Sequence, residues 1–215
     1  MRTQLIVLAK TPVPGRVKTR LCPPCTPGQA ARVAAAALAD TLDAVAATPA
    51  ATRALVVDGD HPAPAGWART LQRGDLLGER LAHAYADTLL PGVASLLIGM
   101  DTPQVSPALL GQAVDRLGAD GIDAVLGAAE DGGWWALGLR DPRDAEVLRD
   151  VATSTARTGA HTLAALRSRG LRVASLPVLR DVDTAADAHA VAALCPAGSR
   201  FALAVDRMTA SGTPA

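Results

Sequence analysis

Aromatic side chains are nearly missing from this chain: three Trp, one Tyr and one Phe among 215 residues. A core must therefore be assembled from Ala, Leu and Val, and the adjacent pair Trp134-Trp135 stands out. Net charge is missing as well, with 21 basic and 21 acidic residues. No global field recruits nucleic acid or an anionic membrane, so phosphate recognition has to be local. No apolar run nears the roughly 20 residues that span a bilayer, and the N-terminus lacks a signal-peptide core with a cleavage site, so a cytoplasmic location without a membrane partner is expected. Cysteine is scarce and odd in number, three in all, which fits a reducing compartment better than a disulfide framework. Cys22 and Cys25 form a C-P-P-C, but a zinc site there lacks two ligands: Cys195 stands alone, and His61, His83, His161 and His189 are scattered. Two prolines ending a loop before a helix explain that stretch. Linkers and internal repeats are missing too. With 49% hydrophobic residues, a single domain over residues 1–196 is expected, followed by a tail over 197–215 that is poorly ordered at its end.

What is present alternates between strands and helices. Gln4–Ala9 is a continuous apolar run, as in a strand buried on both faces. A basic loop follows, carrying Lys10, Arg16, Lys18 and Arg20, with Pro12 and Pro14 fixing φ and Gly15 free to take angles closed to other residues. Four cations directly after a first buried strand suit an anion at the carboxyl edge of a sheet, phosphate above all. Thr26-Pro27 caps a helix over about Gly28–Ala47, and strands follow at Arg53–Asp58 and Ala94–Ile98. Between those strands Gly74 and Gly78 break the chain before a helix reaching about Leu90, with Glu79 and His83 one turn apart on it. Ser106-Pro107 caps a helix to about Leu117; Ile122–Gly127 and Trp134–Leu139 read as a strand hairpin. Helical stretches over about Asp144–Val151 and His161–Arg169, a strand over Leu171–Leu176 and a short Ala-rich helix after Thr184 complete the pattern. Such alternation predicts an α/β fold, a mostly parallel sheet with helices on both faces, and ligands gathered beyond the carboxyl ends of its strands.

Acidic residues fall at those ends. Asp101 follows a buried strand directly; a carboxylate facing a phosphate loop can hold Mg²⁺ between protein and phosphates, and it can also simply make a turn. Asp183 is either a helix N-cap or a second ligand, and Asp181, two positions before it in an extended segment, points the same way. Asp131 is a hairpin-turn residue or faces an acceptor.

Five segments, AKTPVPGRVKTRL, LLGERL, IGMDTPQV, LGAAEDGGW and RDVDTAADA, resemble in order a family of small bacterial proteins provisionally classed as glycosyltransferases, often encoded near radical-SAM enzymes. That resemblance implies the glycosyltransferase-A, or nucleotide-diphospho-sugar transferase, fold. The first and last segments are also similar to the molybdenum-cofactor guanylyltransferases and to those acting on phospholactate or phosphoenolpyruvate. By resemblance Asp101 and Asp183 take the metal-ligand positions for Mg (or Mn), and Lys18 and Arg20 bind phosphates. Nucleotide contacts are then expected at Ala9, Lys10, Gly15, Arg16, Lys18, Arg20 and Gly78, with Lys18, Arg20 and Asp101 catalytic. Acceptor contacts are expected at Glu79, Arg80, Asp131, Gly132, Gly133, Trp134, Ser154 and Thr155. Three positions depart from the family pattern: Trp134 replaces a Tyr, Thr153 a Trp and Ala128 a Pro. The expected activity is nucleotidyl transfer from an NTP to a small phosphate- or carboxylate-bearing acceptor, which must stabilise departing pyrophosphate with more charge. Glycosyl transfer from an NDP-sugar is the alternative, and a non-catalytic nucleotide binder is the reading from another class.

Overall fold

The computed structural model describes residues 1–210. Its centre is a seven-stranded sheet: β1 (Thr3–Lys10), β2 (Thr52–Asp58), β3 (Ala68–Leu71), β4 (Ala94–Gly99), β5 (Ala124–Ala129), β6 (Trp134–Leu139) and β7 (Val173–Leu179). In space the order is β3-β2-β1-β4-β6-β5-β7. Strand β6 runs antiparallel to both neighbours, β4 and β5, and the others are parallel. The sequence-predicted hairpin is thus present, and its return strand is inserted between β4 and β5. Strand β3 had no counterpart in the sequence reading; it is a four-residue edge strand, mostly exposed, so neither burial nor alternation marks it.

Alternate residues of β1 serve two cores. Leu5 and Val7 face α1 (Pro27–Ala47) and α3 (Pro107–Gly118), where they meet Leu38, Leu42, Leu110 and Leu117. Ile6 faces the opposite layer of α2 (Leu77–Asp87), α4 (Thr158–Ser168) and the 3-10 segment Pro142–Asp150, with Tyr85, Leu148 and Leu166. That 3-10 segment is the helical stretch expected over about 144–151. Capping follows the sequence signals: Thr26 and Gln29 form a reciprocal capping box, and Ser106 Oγ accepts from Leu109 N at 3.2 Å.

A third cluster corrects the expected domain boundary. The stretch read as a tail from 197 forms α6 (Arg200–Ala210), and it lies with α5 (Ala185–Ala192) along α1. Phe201 and Val205 are buried there with Val33 and Ala37 of α1, Val191 of α5, Leu21 and Val182. The carboxylate of Asp40 accepts from Phe201 N at 2.8 Å and fixes the start of the helix. The expected disordered end lies in residues 211–215, outside the described residues.

Truncating the wholly buried Phe201 in Phe201→Ala removes a large part of this cluster, at an expected cost of about 3–5 kcal/mol in urea denaturation. A cost below about 1 kcal/mol would show α6 to be loosely attached.

Candidate active site

Strand β1 ends at Lys10, and the chain turns at once into the basic loop. Gly15 supplies the left-handed angle the turn needs, with φ of +76°, while Arg16 N donates to Val13 O at 3.0 Å. Val17 and Leu21 are buried and pin the loop at two points. Between them Lys18 adopts a left-handed conformation itself, φ 48° and ψ 40°, before the 3-10 turn Thr19–Leu21. Lys18 consequently turns inward and Arg20 outward: their side chains are 9% and 74% exposed.

The inward lysine meets two of the predicted carboxylates. Lys18 Nζ lies 2.8 Å from Asp101 Oδ1 and 3.4 Å from Asp183 Oδ1, and it also donates to the carbonyl of Val182. Arg20 reaches the other oxygen of Asp183 at 2.8 Å. Burial pulls the Lys18 ammonium toward release of its proton, but the charges and hydrogen bonds of Asp101 and Asp183 outweigh this and hold its pKa above the usual lysine value. Asp101 comes from the exit of β4, whereas Asp183 follows β7, three places away in the sheet. The segment after β7 crosses back to close that gap: Val182 N donates to Asp101 O at 2.9 Å, and Gln104 Nε2 donates to Arg180 O at 2.6 Å.

Asp183 also belongs to a trio. Carboxylate oxygens of Asp131, Asp181 and Asp183 lie within 4.8 Å of one another, the one cluster of three or more acidic, His or Cys side chains among the described residues with spacing that could hold a metal ion. Hard oxygen donors without sulfur or imidazole suit Mg²⁺ or Mn²⁺. No cysteine takes part; Cys25 is buried in the third cluster with Cys22 beside it, as a structural loop end requires. Asp181 had only its spacing with Asp183 to mark it in the sequence. Burial, and then the charge of Asp131, push its carboxyl up to about 6. Its alternate spacing with Asp183 was the signal; its burial was invisible in the sequence.

Because β6 is reversed, the turn between β5 and β6 emerges at the same sheet edge as the carboxyl ends of the parallel strands. Asp131 Oδ1 accepts from Gly133 N at 2.7 Å and shapes that turn. Gly132, at φ +89°, has no room for a Cβ against the Ala156 carbonyl, and Gly159 N donates to Gly132 O at 2.8 Å. Two predicted acceptor stretches, residues 131–134 and 154–155, are thereby brought together. Ser154 is exposed in a left-handed conformation, φ 59°, and Thr155 Oγ1 accepts from Arg157 N at 3.2 Å. Trp134 points instead toward α4, its indole donating to Thr162 Oγ1 at 3.2 Å. Trp135 is buried on the other face, crossing the bare Gly127 to donate to Pro177 O at 2.9 Å.

Other predicted residues are explained by architecture. Gly78 is buried where a Cβ would strike the carbonyl of Leu148, so packing of α2 on the 3-10 segment accounts for it. Glu79 Oε2 accepts from Asp75 N at 2.8 Å and Leu76 N at 3.3 Å, capping α2. Arg80 bridges Gly74 O at 2.9 Å and Asp58 Oδ2 at 3.1 Å, tying α2 to the end of β2. The Ala9 carbonyl accepts from Gln72 Nε2 at 2.7 Å. Lys10 and Arg16 are exposed and form no ion pair among the described residues.

Comparison with known proteins places this edge in context. A family model described as "Uncharacterized protein conserved in bacteria (DUF2064)" matches residues 30–155. No curated protein matches the sequence. Among solved structures, a protein of Desulfovibrio desulfuricans G20 provisionally named a nucleotide-diphospho-sugar transferase is similar over 100% of both chains, with 26% identity and a TM-score of 0.84. Rv0371c of Mycobacterium tuberculosis H37Rv, in complex with manganese, is similar over 89% of this chain and 98% of its own, with 22% identity and a TM-score of 0.55. CMP:2-keto-3-deoxy-manno-octonic acid synthetase complexed with CTP shares the fold over 90% of this chain and 98% of its own, at 12% identity and a TM-score of 0.56. The architecture is that of the nucleotide-diphospho-sugar transferases.

The raised carboxyl of Asp181 makes a pH test available. A raised acid contributes its stability below its unfolded pKa of about 4 and loses it as pH rises through the folded value of about 6. Asp181→Asn is therefore expected to melt above the wild type at pH 7.5, with the gap closing toward pH 4. A gap independent of pH would remove the buried-carboxylate explanation.

Proposed function

The chain belongs to the DUF2064 family, and we propose that it is a nucleotide-using transferase, moving a nucleotidyl group from an NTP to a small phosphate- or carboxylate-bearing acceptor. The carrying observation is the meeting of Lys18 and Arg20 with Asp101 and Asp183 at the carboxyl edge, beside the exposed Lys10 and Arg16. Cations for phosphates and carboxylates for a divalent metal converge where doubly wound sheets hold their ligands. The fold is shared with a synthetase complexed with CTP, which supports a nucleotide as ligand.

The donor set fits Mg²⁺ or Mn²⁺, with Asp101 and Asp183 as the proposed ligands and Asp181 and Asp131 adjoining. When bound, such an ion supplies charge neutralisation on phosphate oxygens. The chain's own residues do the rest. Lys10, Arg16, Lys18 and Arg20 grip the phosphates, with the bare turn at Gly15 letting the loop follow them, and they stabilise the charge that develops on the leaving group. Gly132, Gly133, Ser154 and Thr155 line the neighbouring acceptor turn. An acceptor oxygen oriented there attacks the α-phosphorus, the bond to the β-phosphate oxygen breaks, and pyrophosphate leaves against the loop.

Glycosyl transfer from an NDP-sugar is the second reading, and two observations favour it. Lys18 and Arg20 are already matched by carboxylates, which leaves less positive charge than four free cations would, and the D. desulfuricans protein carries a sugar-transferase name.

Incubation with Mg²⁺ and each NTP or NDP-sugar across a panel of small phosphorylated and carboxylated acceptors separates the two. Pyrophosphate release from an NTP is expected; free NDP from a nucleotide-sugar with no pyrophosphate from any NTP decides for glycosyl transfer. Asp101→Asn is expected to weaken Mg²⁺-dependent nucleotide binding at least tenfold by calorimetry without loss of fold, and unchanged Mg²⁺ dependence would remove Asp101 from the ligand set.

A further inference from the structure

All three cysteines of the chain gather at the cluster beneath the cation loop. Cys25 is buried in it, and Cys22 and Cys195 pack half-buried against it. Two of them also share one turn. Leu21 O accepts from Cys25 N at 2.8 Å and Thr19 O accepts from Cys22 N at 3.0 Å, so Cys22 and Cys25 bracket Pro23 and Pro24 inside a closed loop of backbone. The prolines fix φ at both intervening positions, which keeps the turn closed whether or not the sulfurs are bonded. A disulfide needs Cα atoms roughly 4–7 Å apart, and residues three apart in a turn closed this way meet that span. The turn joins Leu21, which pins the Lys18 loop, to Thr26, whose side chain caps α1.

We infer that Cys22 and Cys25 form a redox-active dithiol, which a small disulfide of the glutathione class oxidises to an intramolecular bond. This is independent of the transferase reading. The step is thiol–disulfide exchange. Cys22, the more accessible of the two, loses its proton to solvent, and its thiolate attacks one sulfur of glutathione disulfide; one glutathione leaves as a thiolate and takes up a proton. Cys25, deprotonated in turn, attacks the Cys22 sulfur of the mixed disulfide, and the second glutathione leaves. The protein gives up two electrons and two protons, and the small disulfide becomes two thiols. Burial, and then the charge of Cys22, push the Cys25 thiol up, which suits it to the second attack, made at close range, rather than to the first, made on a partner in solution. Cys195 lies off this turn, and burial followed by the charge of Asp40 pushes its thiol up to about 11, so it stays reduced. A transient bond of this kind is compatible with a reducing compartment, where a structural disulfide is not.

The test takes the full chain, reduced and freed of reductant, through glutathione buffers of graded oxidised fraction, with an acid quench and intact-mass measurement. The wild type is expected to lose the mass of two hydrogens, to carry no glutathione, and to recover on addition of dithiothreitol. Digestion with trypsin locates the bond, because Cys22 and Cys25 lie together on residues 21–32 and Cys195 lies apart on residues 181–200. Cys25→Ser is expected to stop at the glutathione adduct on Cys22, and Cys22→Ser to react at least tenfold more slowly than the wild type. Circular dichroism confirms that the variants are folded; should either not fold, the wild-type masses and peptide map decide alone. A stable glutathione adduct on the wild type, a bond to Cys195, or three free thiols in every buffer overturns the inference. Reaction of Cys22→Ser as fast as the wild type overturns it as well.

Discussion

A buried ammonium between two carboxylates is the constraint on which the rest of this structure depends. Lys18 is almost covered, and a charge so placed requires partners close by. Asp101 and Asp183 meet that demand only because the segment after β7 crosses the end of the β5–β6 hairpin and bonds to the exit of β4. The loop after β1, the exit of β4 and the exit of β7 are consequently a single electrostatic object. A shift of any of the three weakens the pairing of the one covered charge, the Lys18 ammonium.

Topology makes this object possible. Six strands run one way and direct their carboxyl ends to one edge; the reversed β6 adds its own beginning to that edge instead of removing it. The Asp131 turn therefore joins the cation loop, and the acidic trio links the two. The nucleotide and acceptor halves of the proposed site share Asp183 and its neighbours rather than sitting in separate pockets. Rearrangement on one side is felt electrostatically on the other.

Much of this was legible in the residues because it is local. The apolar run before Lys10, the Thr26-Pro27 cap and the Gly-Gly turn before Trp134 each state their conformation within a few positions. The pairing of residues 131–134 with 154–155 was anticipated by resemblance, whereas its cause, a carbonyl filling the space beside Gly132, is a tertiary fact. Gly78 shows the opposite case: a glycine placed by motif at the nucleotide is required by the Leu148 carbonyl behind it. Burial of Asp181 depends on a segment crossing three strands, and no spacing reveals that. Helix α6 was overlooked although Phe201, Val205 and Met208 carry the i, i+4, i+7 stripe, since the Pro196–Ser199 stretch before it reads as the start of a tail.

Helix α6 also underlies the site itself. Leu21 follows the cation loop and Val182 precedes Asp183, and both have their apolar sides covered by the cluster that Phe201 and Val205 complete. A nascent chain that has emerged as far as residue 199 already possesses every motif residue and every sheet strand, yet the floor beneath Lys18 and Asp183 is open. Support of the site thus depends on α6 docking on α1, and a chain lacking that helix carries the right residues on an unsupported loop.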